Sequence, residues 1–407
     1  MSQLMDLNRC HRLMEEQNLD ALLVSSPLNF GYVTGFFWGN TIRSQRYVTF
    51  EYDHVPVLGQ MGRSLWGGYA VVARDEESFA VSNRFVADTL DQLDCWIRDL
   101  RPYGSGWFKG TMPADWMNDD PVDMLSQALV EKGLDRKRVG IDWSSFPAGA
   151  FQKLSVKLPA IQFVDAESLL WRLRMVKTPE EIRRMRKAAD VTVKAMEAAF
   201  AAAREGMTEI EFVDVMRSKS IEEGADLLWT EINFGFQPKQ GTGDVRGWTP
   251  TERRLKKGDL CAVDSGGFYQ MYVADMGRWF WFGREPTEEE RKGYEAVLQA
   301  LDEALKVVRP GTPCAQVYRI VEDILEPMGY TPAGQGHGVG LMPHEPPCFS
   351  DVSDETLEEN MVMTLEIGVG IPIESPPSRR SLQIEDEILV TRDGAENLSL
   401  LPRWVIL

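Results

Sequence analysis

The segment LCAVDSGGFYQMYVADMGRWF, residues 260–280, decides the plan of this chain, because it sets two aspartates among apolar and aromatic residues. Since aspartate is a poor strand former, Asp264 and Asp275 indicate a function rather than a contribution to a sheet. The sequence SGG after Asp264 predicts a turn, so that an antiparallel hairpin would bring the two carboxylates together. The alternative reading makes Asp264 the first residue of a β-turn and Asp275 an exposed strand acid.

Three more polar residues stand in unusual places further along the chain. Glu366 ends the apolar run VMTLE, and Glu385 lies within LQIEDEILV. A carboxylate in an apolar strand costs several kcal/mol unless it is paired or coordinated. Alternation gives Glu385 and Glu387 the same face, and the pattern leaves open which of them points inward. His337 has a glycine on each side, in GQGHGVG, which allows the backbone to approach closely.

Together these residues form a set of four carboxylates and one imidazole: Asp264, Asp275, His337, Glu366 and Glu385. Such an oxygen-rich set suits two divalent ions, namely Mn, Fe, Co or Zn, that share bridging carboxylates. Two ions close together can activate a water molecule and stabilise both ends of a displacement. A dinucleotide loop is a weaker reading of the glycines, because the stretch is GxGxG and opens no helix.

Composition narrows the function classes. The formal net charge of −18 argues against a nucleic-acid partner, which requires basic residues to neutralise phosphates. No apolar run approaches the roughly 18 residues of a membrane span. The five cysteines are scattered and form no CxxC pair, and the first residues predict an amphipathic helix rather than a secretory signal. We therefore expect a cytoplasmic protein without a membrane partner.

The first half alternates apolar runs with helical patterns, which predicts an α/β domain ending near residue 170. The expected strands are 20–25, 47–52, 69–73, 138–143 and 161–165, and the expected helices include 120–132 and 148–157. The aromatic and basic loop FFWGNTIRSQRY, residues 36–47, is a candidate lid or dimer contact, although such aromatics more often seal a domain edge.

The second half begins with a long helix and contains a weak internal repeat. Thr178 and Glu181 form a capping-box pattern that starts the first helix, and Thr208 with Glu211 starts the next. A later helix starts at Thr287, and Thr312 with Pro313 is expected to start its partner. Each helix pair precedes strand-like segments that hold the candidate ligands, so we expect a pseudo-twofold helix–helix–sheet domain.

These motifs resemble the methionine aminopeptidase-like metallopeptidase superfamily, which has the pita-bread fold. Two other segments, DALLVSSPLNFGYVTGF at 20–36 and RMVKTPEEIRRMRKAA at 174–189, are similar to the branch of creatinase, prolidase and Xaa-Pro aminopeptidase. The resemblance covers nearly the whole chain. It implies an α/β N-terminal domain at 1–170, an α+β pita-bread catalytic domain at 177–407, and a homodimer.

The resemblance also implies roles for individual residues. Asp264 would chelate one ion, Asp275 and Glu385 would bridge the two, and His337 and Glu366 would complete the second site. Glu366 would also act as general base or proton shuttle. His344 would contact the substrate carbonyl or the tetrahedral intermediate. Arg278, three positions after Asp275, matches an arginine of the family and is a candidate substrate contact.

The chain departs from the family at two places. Peptidases of this branch usually carry a histidine about 18 residues before the first aspartate, where this chain has Arg246. Arginine cannot act as a neutral imidazole or as a base near neutral pH. Gln383 stands where an arginine is common. These changes bring Xaa-Pro specificity into question, and Arg246 and Trp248 become candidate contacts for a small charged substrate.

The leading hypothesis is a dinuclear metallohydrolase that cleaves the C–N bond of an amide, either in Xaa-Pro peptides or in a small molecule such as creatine or an ectoine-type ring. A lyase of the kind that acts on dimethylsulfoniopropionate is a second possibility, since such relatives also have a tryptophan near this position. A non-catalytic peptide-binding module is the third. Such modules usually lose metal ligands, whereas this chain keeps all five.

Overall fold

A computed structural model of the chain describes residues 3–37, 68–103, 120–235, 249–333, 335–373 and 378–407. The chain divides into two compact units, Met1–Arg174 and Met175–Leu407. The predicted strand at 47–52, most of the candidate lid at 36–47, and both Arg246 and Trp248 lie outside the described residues. None of the described helices is long and apolar enough to cross a membrane.

The N-terminal unit is a mixed sheet with helices. Its strands are β1 (Ala21–Val24), β2 (Gly68–Ala73), β3 (Phe79–Asn83), β4 (Asp99–Tyr103), β5 (Arg138–Ile141) and β6 (Gln162–Asp165). Its helices are α1 (Leu7–Glu16), α2 (Pro27–Thr34), α3 (Arg84–Gln92), α4 (Pro121–Glu131), α5 (Ala148–Lys157) and α6 (Glu167–Met175). The strand order is β4-β3-β2-β1-β5-β6, with β1 antiparallel to β2 and parallel to β5.

Strands β3 and β4 were not predicted from the sequence. The sequence of β4, DLRPY, contains a proline and polar residues, which usually indicate a loop. The structure places β4 at the edge of the sheet, with a neighbouring strand on one side only. Proline has no backbone N–H to donate, and an edge strand tolerates this loss. The position of the strand in the sheet therefore permits a residue that the local pattern disfavours.

The C-terminal unit contains two helix pairs. They are α7 (Pro179–Ala202) with α8 (Glu209–Glu222), and α9 (Glu288–Val307) with α10 (Cys314–Leu325). The structure confirms the capping box predicted at Thr178 and Glu181, and the one predicted at Thr208 and Glu211. Thr287 also caps α9 as predicted.

The prediction for the start of α10 was wrong in detail. The residue that precedes this helix is Pro313, which makes no side-chain capping bond. The Thr312 hydroxyl instead donates a hydrogen bond of 2.7 Å to the carbonyl oxygen of Val307, the last residue of α9. Thr312 therefore satisfies the end of one helix rather than the beginning of the next.

The strands of this unit form one 11-stranded sheet, in which β17 pairs with β10 in parallel and the other pairs are antiparallel. They are β7 (Leu227–Phe234), β8 (Leu260–Tyr269), β9 (Tyr272–Val273), β10 (Met276–Trp281), β11 (Pro332–Ala333), β12 (His337–Gly338), β13 (Glu345–Cys348), β14 (Val362–Ile373), β15 (Ser378–Thr391), β16 (Gly394–Asn397) and β17 (Val405–Ile406). The main order is β13-β12-β14-β15-β10-β8-β7. Strands that follow the first helix pair meet strands that follow the second where β10 pairs with β15, in agreement with the expected repeat.

The hairpin that carries the two aspartates is longer than predicted. The sequence SGG does not turn, because β8 continues to Tyr269 and the chain reverses at Gln270 and Met271, which have φ values of 49° and 75°. A Cβ on Gly266 would lie 1.6 Å from the carbonyl oxygen of Ala274. Glycine is therefore needed at Gly266 for the close approach of the returning chain that carries Asp275, rather than for a turn.

The two faces of the sheet have different surroundings. The Phe280 ring stacks on that of Phe212, a residue of α8, with centroids 5.9 Å apart. Because strand side chains alternate, Arg278 shares this helix-covered face with Phe280, whereas Gly277 and its partners in the neighbouring strands lie on the other face. The candidate ligands therefore lie on the face opposite the α7–α8 pair.

We predict that Gly266→Ala destabilises the protein by about 1–3 kcal/mol or more, because the new methyl group overlaps the backbone of Ala274. Urea denaturation monitored by circular dichroism measures this loss. Gly394→Ala is the matched control, since no atom lies within 4 Å of a Cβ built at Gly394. Equal stability of the two variants would contradict the structural role of Gly266.

Candidate metal centre

One row of residues runs across five neighbouring strands on the face of the sheet opposite the α7–α8 pair, which we call the open face. Glu366 pairs with Glu385, Glu385 with Gly277, Gly277 with Asp264, and Asp264 with Glu231. Directly paired residues of antiparallel strands present their side chains on the same face. Three predicted ligands are thereby aligned by backbone register alone. A Cβ on Gly277 would lie 3.3 Å from an oxygen of Glu385, so glycine leaves this space to the carboxylate.

Asp275 and His337 complete the cluster. The Nε2 atom of His337 lies 3.8 Å from one carboxylate oxygen of each of Asp275, Glu366 and Glu385. This distance is too long for a hydrogen bond. It does suit atoms around a common ion, because ligands at about 2.0–2.2 Å from a metal lie roughly 3–4 Å from one another. The structure thus brings all five predicted ligands together.

The ligand atoms form two overlapping groups. In each group, atoms from three residues lie within 4.8 Å of one another: His337, Glu366 and Glu385 in one, and Asp264, Asp275 and Glu385 in the other. Glu385 belongs to both. A carboxylate has two oxygens, so Glu385 could offer one ligand atom to each group.

Several buried atoms of this cluster have no hydrogen-bond partner among the described residues. They are Asp264 Oδ1, Asp275 Oδ1, His337 Nε2 and Glu385 Oε2. Buried polar atoms are normally satisfied, and each unsatisfied one costs free energy. Coordination of divalent ions would satisfy all four atoms at once, so the residues present fit a metal centre.

The electrostatics lead to the same requirement. Burial raises the pKa of Asp275 and of Glu385 well above the usual carboxylate range, and neighbouring carboxylates raise it further. Burial also raises the pKa of Asp264 and of Glu366. Burial and mutual repulsion thus favour the protonated forms of these acids, whereas a bound divalent ion would favour the carboxylates.

His337 is oriented for coordination through Nε2. Its Nδ1 lies 3.0 Å from the carbonyl oxygen of Gly338. A carbonyl only accepts hydrogen bonds, so Nδ1 carries the proton and Nε2 keeps its lone pair for the cluster. Burial lowers the pKa of His337 to about 4, with a further contribution from His344, so the ring is neutral near pH 7.

The glycines beside His337 allow the close packing that the sequence predicted. A Cβ on Gly336, whose φ is 119°, would lie 2.1 Å from the carbonyl oxygen of Thr364. A Cβ on Gly338 would lie 2.5 Å from the carbonyl oxygen of Pro346. The backbone N–H of His337 also donates to the Thr364 hydroxyl at 3.1 Å. These contacts fix the short strand β12 against β14 and so fix the position of the imidazole.

His344 lies at the exposed side of the cluster. Its ring centroid is 4.2 Å from that of His337, and its ligand atom groups with those of Asp275 and His337. The loop that leads to His344 is held by buried Glu345, which accepts hydrogen bonds from the backbone N–H groups of Leu341 and Met342 at 2.9 and 3.2 Å. This position agrees with a contact to substrate.

Arg278 does not reach the site, and its predicted role as a substrate contact was wrong. The side chain is fully buried on the helix-covered face, where it pairs with Asp386 at 2.6 Å. It also donates to the carbonyl oxygens of Glu385 and Pro402. The sequence spacing explains this position. Arg278 follows Asp275 by three residues, and an odd separation places two side chains on opposite faces of a strand. Arg278 is structural and joins the end of the chain to the sheet.

Two residues form hydrogen bonds that hold members of the cluster in place. The Gln383 side-chain amide donates a hydrogen bond of 2.7 Å to Oε1 of Glu366. Glu387 is fully buried and accepts a hydrogen bond of 2.9 Å from the backbone N–H of Asp275. The structure therefore answers the question that alternation left open: Glu385 joins the cluster and Glu387 holds the backbone of a neighbouring ligand.

Neither supporting role followed from the sequence. By sequence, Gln383 is only a glutamine where an arginine is expected, and Glu387 only an alternative to Glu385. Burial raises the pKa of Glu387 to about 8, and the nearby ammonium of Lys177 opposes this shift. Such contacts behind metal ligands usually affect metal affinity, because they fix the orientation of the ligating groups.

We predict that Glu387→Ala weakens binding of Mn²⁺ by about 10- to 100-fold, because Asp275 loses the acceptor that holds its backbone. Glu387→Gln keeps an acceptor oxygen and should retain most of the affinity. Isothermal titration calorimetry on the metal-free protein measures both variants. Wild-type affinity in Glu387→Ala would show that Asp275 needs no such support.

Comparison with known proteins places these features in a family. The sequence profile of metallopeptidase family M24 matches residues 183–392. The profile of the creatinase/prolidase N-terminal domain matches residues 7–176. A putative dipeptidase of Bacillus subtilis, YkvY, is 30% identical over 295 residues, which cover 71% of this chain and 78% of that protein. The uncharacterized peptidase MW1651 of Staphylococcus aureus is 34% identical over 242 residues, which cover 58% of this chain and 66% of the relative.

Solved structures agree in fold over nearly the full length. The Xaa-Pro dipeptidase from Bacillus anthracis superposes with a TM-score of 0.77 at 20% identity and covers 98% of this chain and 99% of its own. The prolidase from Pyrococcus horikoshii OT3 has a TM-score of 0.73 at 24% identity, with 98% of each chain covered. These similarities confirm the predicted pita-bread fold class. The chain therefore belongs to the metallopeptidase family M24, in its branch with a creatinase/prolidase N-terminal domain.

Proposed function

We propose that this protein is a dinuclear metal-dependent hydrolase that cleaves the amide bond of short Xaa-Pro peptides. The observation that carries the proposal is the pair of three-residue groups that share Glu385 and contain unsatisfied buried atoms. The relatives reported above are peptidases, and several are named dipeptidase or prolidase, which supports peptides over creatine-like molecules as substrates.

The five clustered residues would hold the two ions. Asp264 would hold one ion, His337 and Glu366 would hold the other, and Asp275 and Glu385 would contribute to both. When bound, the ions polarise the scissile carbonyl and make a water molecule acidic. The donor set accepts Mn, Fe, Co or Zn, and availability often decides among them.

Glu366 is suited to move the proton. Its side chain is 26% exposed, in contrast to the 2% and 1% of Asp275 and Glu385, so it faces the space that a substrate would enter. Gln383 holds its Oε1 and leaves Oε2 directed towards His337. Glu366 would take a proton from the attacking water and deliver it to the leaving nitrogen. His344, at the open side, would donate a hydrogen bond to the oxygen of the carbonyl as it gains charge.

The oligomeric state, the cellular location and two substrate contacts of this protein remain predictions. The homodimer follows from the resemblance to creatinase and prolidase, and the cytoplasmic location follows from the scattered free cysteines. The roles of Arg246 and Trp248 as substrate contacts also remain predictions, because both lie outside the described residues.

We predict that the metal-loaded protein hydrolyses Xaa-Pro dipeptides and that Asp275→Ala lowers kcat/KM by about 1,000-fold or more, because a shared ligand is lost. Amino-acid release measures the activity after loading with Mn, Fe, Co or Zn. Asp354→Ala is the control, since Asp354 is exposed and belongs to none of the groups of possible metal ligands. Absence of cleavage with every metal would reject the peptidase proposal. Creatine, ectoine and dimethylsulfoniopropionate belong in the same panel, and a lyase product without oxygen from ¹⁸O-water would reject hydrolysis.

We further predict that Gln383→Ala lowers kcat about 5- to 10-fold with little change in KM, because one hydrogen bond that holds Glu366 is lost. Steady-state kinetics on the same dipeptide separate the two parameters. Gln299→Ala, on the exposed surface of α9, should leave both unchanged. A change confined to KM would assign Gln383 to substrate binding instead.

A further inference from the structure

Glu231 is the outermost member of the row that aligns the metal ligands. It pairs directly with Asp264 in the register of β7 and β8, so both side chains lie on the open face of the sheet. Adjacent strands are about 4.8 Å apart, which places Glu231 one strand beyond the metal cluster. β7 ends the strand order, and the Glu231 side chain is exposed at this rim.

No partner among the described residues accounts for the carboxylate of Glu231. It belongs to none of the three groups of possible metal ligands found in the described part of the chain. Within residues 3–37, 68–103, 120–235, 249–333, 335–373 and 378–407, no hydrogen bond or ion pair involves its side chain. Its negative charge raises the pKa of both Asp264 and Glu366, so it faces the cluster. An unpaired acid beside four other carboxylates increases their repulsion unless a cation enters.

The neighbouring residues on this face suit an organic cation. Trp229 and Asn233 flank Glu231 at a separation of two residues and therefore share its face. The Trp229 indole donates to the carbonyl oxygen of Ala274 at 3.3 Å, which fixes the ring. The Oδ1 atom of Asn233 is buried and has no partner among the described residues. A carboxylate, an amide oxygen and an aromatic ring together can bind an ammonium or guanidinium group.

The distance between Glu231 and the metal cluster limits which cationic group of a substrate can reach Glu231. The proposed hydrolysis would need the scissile carbonyl to lie at the cluster, and the α-amino group is only two bonds from that carbonyl carbon. A group one strand further out is in reach of a long side chain, whose aliphatic stem can pack on the Trp229 ring. We propose that Glu231 binds the cationic side chain of the substrate residue on the amino side of the scissile bond, and so favours Lys or Arg there. This inference rests on the proposed peptidase function.

The test compares Lys-Pro with norleucine-Pro, which differ chiefly in the terminal ammonium. Wild-type protein should show a kcat/KM that is about 10- to 100-fold higher for Lys-Pro, as expected for a hydrogen bond between charged groups. Glu231→Gln should bring the ratio close to one, and Glu231→Lys should favour Glu-Pro instead. Glu359→Gln, an exposed acid without a described contact, is the control that should keep the wild-type ratio. Circular dichroism confirms that each variant is folded.

A wild-type ratio near one, or a ratio that Glu231→Gln leaves unchanged, would overturn the inference while peptide hydrolysis stands. If the wild-type protein cleaves no Xaa-Pro peptide, the proposed function fails and binding decides the role of Glu231. Calorimetry with lysinamide and norleucinamide on the manganese-loaded protein then gives the answer. Tighter binding of lysinamide that is lost in Glu231→Gln supports the cation site, and equal binding of the two amides rejects it.

Discussion

The structure depends on the repulsion among carboxylates that the sheet holds close together. Asp264, Asp275 and Glu385 are brought within 4.8 Å of one another in surroundings that raise the pKa of each, largely through burial. In such surroundings the charged forms are unfavourable unless cations compensate them. The free energy of metal binding is therefore available to offset a strain that the fold itself creates.

Contacts on both faces of the sheet hold these carboxylates in place. On the open face, glycines at 266 and 277 let backbone and carboxylate approach where any side chain would intervene. On the helix-covered face, the buried Arg278–Asp386 pair connects β10 and β15 at the seam between the two halves of the repeat. The ion pair on the helix-covered face thus holds together the two strands that carry carboxylates on the open face. Backbone register, rather than loops, sets the ligand spacing.

Two residues beside the cluster determine part of the charge that a substrate would meet. Neutral Gln383 holds Glu366, so this position brings no positive charge to the site. Glu231 adds a negative charge at the rim. A substrate group that is cationic fits this balance better than one that is anionic. The metal cluster would then provide the common chemistry, while the strand beyond it provides selectivity.

The sequence by itself determined which residues are candidate ligands, where three helices are capped and where the repeat lies, because each rests on residues whose chemistry is unusual in its local pattern. An acid in an apolar strand and a threonine three residues before a glutamate are such signals. Tertiary structure alone decided which acids meet. Glu385 and Glu387 are equivalent by alternation, yet only the crossing of the chain at Asp275 makes one a cluster member and the other its support. Glu231 likewise looked ordinary until strand pairing placed it beside Asp264, since register joins residues that are distant in sequence.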